Sequence, residues 1–152
     1  MANIGSKAFT SAGTLFAMTT SPLLTYDVAG FAACTWVDVE EITDLGQFGK
    51  VYTEVTHNPL GDRRTVKRRG SYNTGTMPIK MARVPSGAGQ AILVAANDSD
   101  ASHPCRVTLQ DGTIFYFTAQ ILSYTTNIGT VNQITAADVS ASIDNDILEV
   151  AP

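Results

Sequence analysis

The stretch from Met77 to Asn97, MPIKMARVPSGAGQAILVAAN, contains the change of period that decides the fold. In its first half Met77, Ile79 and Met81 share one side and Lys80 takes the other, the two-residue repeat of a half-buried strand. Pro85 ends that strand, and Ser86 or Gly87 stands where a helix cap is needed. Ala88, Ala91, Ile92, Ala95 and Ala96 then recur at the spacing of one helical face, which predicts a helix over 87–97 that buries them and turns Gln90 and Asn97 outward. Nothing else in the chain has a comparable helical pattern, so the stripe must lie against a sheet.

Outward from this stretch the pattern alternates. CTWVDVEEITDLGQFG sets Thr35, Val37 and Val39 against Cys34, Trp36 and Asp38, then breaks at Gly46 and Gly49. Lys50 to Thr56 alternates again, with Val51, Thr53 and Val55 together, and is expected to pair back through the Gly46–Gly49 turn. A short strand is expected at Gly13 to Met18, followed by a loop from Pro22 to Phe31 that Leu24 and Tyr26 pin. After the helix, Arg106 to Leu109 turns at Asp111-Gly112 into the longest strand, IFYFTAQILSYTT. There Phe115, Phe117, Ala119 and Ile121 lie on one face and Ile114, Tyr116, Leu122 and Tyr124 on the other, so both faces are partly covered. Val131 to Ile143 reads as an edge or lining strand with Val131, Ala137, Val139, Ala141 and Ile143 inward, and Asp144, Asp146 and Glu149 make the end of the chain acidic.

The whole is a mainly β domain of antiparallel sheets, a sandwich or barrel former, with one flanking helix. At 152 residues it is one domain, 1–152, with 1–12 a small polar arm that orders against something else. A hydrophobic share of 44% with 16% charged residues excludes a disordered chain and leaves a neutral surface suited to subunit contacts. The net charge of −4 argues against general attraction to nucleic acid or anionic membrane. Cys34 and Cys105, 71 residues apart, lack the spacing of a zinc or redox motif; they read as buried thiols, with a disulfide the alternative in an oxidising compartment. The N-terminus is a poor signal peptide, and no apolar run approaches the roughly 20 residues of a membrane span. A soluble chain made in the cytoplasm is expected.

No catalytic or cofactor reading gathers weight. His57, Ser71 or Ser86 and an Asp can be drawn as a triad, but such triples arise by chance. The two histidines have no acidic or thiol partner at ligand spacing, so neither a metal nor a cofactor is expected. Gly87-Ala88-Gly89-Gln90-Ala91-Ile92 opens a helix after a strand, as a dinucleotide fingerprint does, yet Ile92 replaces the third glycine and no parallel sheet follows. Its glycines suit a tight strand-to-helix turn.

What remains is RRTVKRRG, which puts five of the ten basic residues between Arg63 and Arg69, inside a long irregular connection over 57–75. A connection of that length in a compact domain usually has a job. Tyr72 is its only aromatic, too few for base stacking. A solvated loop with no partner is the plain alternative; complementary charge between copies fits better: Arg63, Arg64, Lys67, Arg68, Arg69 and Tyr72 against Glu40, Glu41 and Asp44, or against Asp144, Asp146 and Glu149.

The order of these features, TWVDVEEITDLGQFG, VYTEVTH, the basic VKRRGSYNTG, MPIKMARVPSGAGQAIL and FTAQILSYTTNIG, resembles the tail tube (major tail) proteins of long-tailed phages, relatives of the tube proteins of type VI secretion. The resemblance runs from Trp36 to Ile143 and rests on Gly46, Gly49, Thr56, Gly70, Gly75, Gly89, Gln90 and Leu93. It implies a structural protein with no catalytic site: a sandwich with one helix, assembled as hexameric rings whose inner sheets join into a barrel, with the 57–75 loop reaching the next ring. It further implies self-association, contacts with terminator, distal tail and tape-measure proteins, genome passing through the lumen without specific binding, and a place in the virion after a stay in the host cytoplasm. Another tube or head–tail joining component, or a monomeric ligand-binding sandwich, are the alternatives.

Overall fold

The computed structural model describes residues 7–152. Of the expected arm, 1–6 lie outside the described residues, and 7–12 form neither helix nor strand.

The Met77 stretch folds as its period change demands. Strand β6 (Thr76–Ala82) buries Met77, Ile79 and Met81 and exposes Thr76, Pro78 and Lys80. Helix α2 (Ala88–Asn97) starts from Gly87, whose backbone is extended. The buried face is Gly89, Gln90, Leu93 and Ala96, one position round from the apolar stripe read in the sequence, and Ala88, Ala91 and Ala95 are exposed. Two groups cause this rotation. Gly89 sits so close to the backbone of Asp38 and Val39 that a Cβ there would lie 2.3 Å from the Asp38 carbonyl oxygen, so only glycine permits the contact. Gln90, expected outside, is 2% exposed and fully used: its Oε1 accepts from the Val84 amide (2.9 Å) and its Nε2 donates to the carbonyls of Ala82 (2.8 Å) and Glu40 (3.1 Å). A polar side chain that satisfies every hydrogen-bonding group can be buried, whatever its hydropathy.

Three of the remaining strands lead into the sheet: β1 (Leu15–Met18), β2 (Val37–Asp38) and β3 (Ile42–Asp44). β4 (Val51–His57) and β5 (Val66–Asn73) lie apart from it, and β7 (His103–Thr108), β8 (Ile114–Asn127), β9 (Ala136–Ile143) and β10 (Leu148–Val150) complete it. Eight strands form one curled antiparallel sheet in the order β2-β1-β7-β8-β9-β6-β3, with β10 beside the start of β8. Its inner face carries Phe16, Met18, Cys105, Val107, Phe117, Ile121 and the small residues of β9, and Leu93 and Ala96 of α2 close over them. Burying one such Met, Phe or Leu side chain is worth about 1.5–3 kcal/mol, so this face is what holds the sheet in its curl.

Several expectations are corrected here. β4 does not pair with residues 34–39: β2 pairs with β1, β3 with β6, and β4 with β5. β9 lies between β8 and β6 rather than at an edge, and Val131, 97% exposed, precedes it in a turn. A bulge between Ile121 and Ser123 returns Tyr124 to the core side, which a strict two-residue period cannot register. The Pro22–Phe31 loop ends in a short helix, α1 (Val28–Ala32), capped by the Asp27 carboxylate on the Gly30 amide at 2.7 Å, and Leu24 pins nothing at 84% exposure. Phe31 of α1, wholly buried, stacks on Tyr116 with Trp36 and Tyr26 around it, and so covers the other face of β8 near its start. Cys34 and Cys105 are buried free thiols, and burial pushes the Cys105 thiol far up. No helix among the described residues is long and apolar enough to cross a membrane.

Two features of the sheet bear on assembly. β7 accompanies β8 only as far as Ala119, so from Gln120 to Asn127 β8 pairs on the β9 side alone. The register also aligns Thr76, Pro78 and Lys80 of β6 with Ser142, Ser140 and Asp138 of β9, and Ser123, Thr125 and Asn127 of β8 fall on the same outer face. On these three strands that face is mostly small and polar, with one cation and one anion; the exposed Leu122 sits at its bulge and Asp44 of β3 stands opposite Lys80.

Candidate functional site

The basic segment is not an irregular loop. Val66 to Asn73 forms strand β5 and pairs with β4 from Val51↔Asn73 to His57↔Val66, leaving only 58–65 as a connection. Among the described residues this two-stranded sheet pairs with no other strand, and every residue of β4 is exposed. A cluster of charge reads as a loop from composition; the alternation of Val66, Arg68 and Gly70 against Lys67, Arg69 and Ser71 is the signal for the strand.

A bulge in β5 opposite Thr53 brings Arg69 and Tyr72 to the same face as Tyr52, Glu54 and Lys67. There the Tyr52 and Tyr72 rings lie 5.4 Å apart, the Arg69 guanidinium sits 3.9 Å over Tyr52, and the Lys50 ammonium sits 4.2 Å over Tyr72. Lys67 Nζ lies 3.8 Å from Glu54 Oε1, both side chains well exposed, a pair worth little by itself. The opposite face holds Val51, Val55, Arg68 and the half-buried Val66. Arg63 and Arg64 belong to the connection at the far end, beside a fully exposed Leu60. The hairpin thus gathers six of the ten cations against Glu54 and Asp62, while the rest of the chain holds four cations and twelve carboxylates.

The six carboxylates read as partners for this charge divide in two. Glu40 caps α2: its Oε1 and Oε2 accept from the amides of Gly89 (3.2 Å) and Gln90 (3.3 Å). Desolvation raises its pKa, but the backbone N–H groups around it outweigh that and hold it below the usual range. The same carboxylate occupies the place a dinucleotide phosphate would take at this helix. Asp44 accepts from the Gly46 amide at 2.7 Å within its own turn. Asp144 takes the hydroxyls of Thr118 (2.7 Å) and Ser102, and Asp146 takes the Tyr72 hydroxyl at 2.7 Å while its carbonyl accepts from Tyr26. Tyr72 and Asp146, each read as facing another copy, therefore meet within one chain, and that hydrogen bond is the main reason the Tyr72 phenol titrates above its ordinary range. Glu41, on left-handed backbone with φ 57°, and Glu149, on β10, keep exposed side chains with no partner among the described residues.

Of the residues a triad would need, His57 ends exposed strand β4, Ser71 lies on β5 and Ser86 in the turn before α2, and among the described residues no hydrogen bond joins the His57 side chain to a serine or an aspartate; His103 starts β7. Among the described residues no three His, Cys, Asp or Glu side chains gather as metal ligands.

Compared with known proteins, the chain matches no family model and no curated protein. Solved structures do match. A chain of the anti-feeding prophage (AFP) baseplate, 6-fold symmetrised, superposes with a TM-score of 0.73 at 10% identity, over 96% of this chain and 97% of the other. A chain of the PVC sheath/tube terminator of an extracellular contractile injection system, in the extended state, superposes with a TM-score of 0.70 at 8% identity, over 96% and 99%. The fold is shared. The likeness is to parts of a baseplate and a tube terminator, where the sequence had suggested the major tail tube of a long-tailed phage.

Proposed function

We propose that this chain is a structural subunit of a phage-like tail or injection particle, and specifically that copies of it form stacked hexameric rings around a channel through which genome passes. The observation that carries this reading is the near end-to-end match to chains of two such particles, one of them 6-fold symmetrised. Three features of the chain support it. The β4–β5 hairpin is a cationic projection that pairs with no other strand among the described residues and meets its own body through the Tyr72–Asp146 hydrogen bond, and that body is strongly acidic. The open side of β8 offers backbone groups to a neighbouring sheet, and closing a ring removes such edges. The small polar face of β6, β8 and β9 suits a lumen wall to which DNA does not stick, since its single Lys80 and Asp138 leave it without net charge. In this reading Arg63, Arg64, Lys67, Arg68 and Arg69 contact another copy, Glu41 and Glu149 are the carboxylates free to receive them, and neither enzyme activity nor a cofactor takes part.

Negative-stain microscopy of the purified protein tests the reading: tubes or stacked rings are expected, and particles that stay monomeric at every concentration would sink it. A second reading has its own support, since one matching chain comes from a baseplate and the other from a tube terminator. In that case single rings form and do not stack.

A further inference from the structure

The base of the β4–β5 hairpin is built differently from either of its ends. On the body side both legs are fixed. Phe48 packs edge-on to Phe115 at 5.2 Å and against Phe117, and the buried Thr74 donates its hydroxyl to the Ile143 carbonyl at 2.9 Å, while the Gly75 carbonyl accepts the Ile143 amide at 3.0 Å. On the far side the strands are paired along their length and stitched by Tyr52, Tyr72, Arg69 and Lys50. Between these parts lies only Gly49 on one leg, Lys50 being turned to the ribbon; on the other leg Asn73, paired with Val51 and accepting the Gly75 amide on its Oδ1 at 2.8 Å, runs directly into Thr74.

Gly49 has φ 154° and nothing within 4 Å of where a Cβ would sit, and the one backbone bond joining the legs there, Gly49 amide to Thr74 carbonyl, is long at 3.5 Å. Open clefts surround the base: about 560 Å³ towards residues 143–146, about 230 Å³ towards Phe115 and Ile147, and about 480 Å³ outside Gln47 to Val51. Across the first of them a single side-chain bond runs, from the Tyr72 hydroxyl to Asp146 Oδ1 at 2.7 Å. Asp146 itself is held from behind, its carbonyl by Tyr26 and its segment by the Asp144 bonds to Thr118 and Ser102.

We infer that β4–β5 is a rigid ribbon that swings about Gly49, with the Asn73–Thr74 junction as the pivot of the other leg, and that the Tyr72–Asp146 hydrogen bond latches it in one orientation until a second copy takes hold of it. Only the releasing partner rests on the reading of the ribbon as a contact between copies; the hinge and latch are properties of one chain. The ribbon is roughly 26 Å long at about 3.3 Å per residue, so a swing of about 20° carries its cationic end about 9 Å. Rigid-body motion of this kind moves all the charge together, where a floppy loop would scatter it, and that is how a subunit can meet a neighbour at more than one angle without losing register.

The test uses dilute protein at high salt, where copies are apart. Spin labels are attached through Thr56→Cys on β4 and Asp111→Cys in the turn before β8, with Cys34→Ala to remove the more accessible native thiol; Cys105 is fully buried. Pulsed dipolar spectroscopy should give one narrow distance distribution for the parent and a distribution broadened by several ångström in Tyr72→Phe and in Asp146→Ala, with thermal melting unchanged. Narrow distributions in both variants would overturn the hinge, and a parent already as broad as the variants would overturn the latch. Both results are read from the separated chain, so failure here is distinguishable from failure to form rings.

Discussion

Gln90→Met removes the most heavily used polar side chain in the core while keeping its length and helix propensity. Three hydrogen bonds disappear, to the Val84 amide and to the carbonyls of Ala82 and Glu40, and these are the bonds that tie the end of β6 and the residues between β2 and β3 to the first turn of α2. At roughly 1 kcal/mol net for each, with part of the desolvation cost added where water cannot replace the lost partner, the variant should lose about 3 kcal/mol. For a chain of this size that is about 9 °C in Tm, at roughly 3 °C per kcal/mol. Gln90→Glu should do no better, because the carboxylate keeps the bond from the Val84 amide but sets an acceptor oxygen in place of Nε2 against the carbonyls of Ala82 and Glu40. The control is Ala91→Asp, at a position that the hydropathy stripe buries and the structure exposes, expected to stay within about 0.5 kcal/mol of the parent. Urea and thermal unfolding of the three proteins decide the matter. If Gln90→Met costs less than about 0.5 kcal/mol while Ala91→Asp unfolds the chain, α2 is rotated the other way and the assigned packing is wrong.

Other predictions follow the same geometry. Leu93→Ala, at a wholly buried site between α2 and the sheet, should cost about 2–5 kcal/mol in urea unfolding, whereas Val94→Ala on the exposed side should cost little. Glu40→Gln should destabilise the protein at pH 7. Because the folded-state pKa of Glu40 is depressed, its contribution is fully present above the ordinary value of 4.5 and lost as pH falls through the folded value, so the gap between variant and parent should close in acid; a gap that widens below pH 4.5 would refute the cap. Reversal of Lys67, Arg68 and Arg69 to Glu should leave circular dichroism and melting nearly unchanged and abolish ring stacking, with high salt weakening parent assembly in the same direction. Long tubes from the triple variant at the parent rate would leave the ribbon's charge as solvated surface.

Periodicity carried the sequence reading wherever one rule governed a segment. β6, the long β8, β9 from Ala137 onward and the place of α2 were legible because burial imposes a period of two or of three to four on the residues that pay no other obligation. Legibility failed where a second force overrode hydropathy. The face of α2 is set by a close backbone approach at Gly89 and by three backbone partners of Gln90, and neither is written in the helix itself. The bulge at Ile121–Ser123 shifts parity within a strand, and β2 and β3 are too short to show any. Half of the hairpin was legible and half hidden: β4 shows Val51, Thr53 and Val55 in alternation, whereas in β5 only Val66 is a large aliphatic residue and the rest is charge, glycine and polar groups. Of the residues proposed for contact, the cations were found by composition alone, while the internal duties of Glu40, Asp44, Asp144 and Asp146 depend on contacts between segments far apart in sequence.

The bare side of β8 has a consequence for the life of the chain before it is used. From Thr113 to Ala137 there is not one charged residue, and Leu122, Ile128, Val131 and Ile134 stand exposed along or beyond the unaccompanied half of the strand. Exposed strands are ordinarily protected by lysine, proline or a covering segment, and from Gln120 to Asn127 this one has neither lysine nor proline and, among the described residues, no strand paired on that side. Such a surface cannot distinguish a correct neighbour from any other extended backbone in a crowded cell. In the assembly proposed above, the interval between synthesis and incorporation is then the exposed one, and protein made faster than it is consumed is expected to precipitate, so that the timing of expression would bear on how much material stays usable.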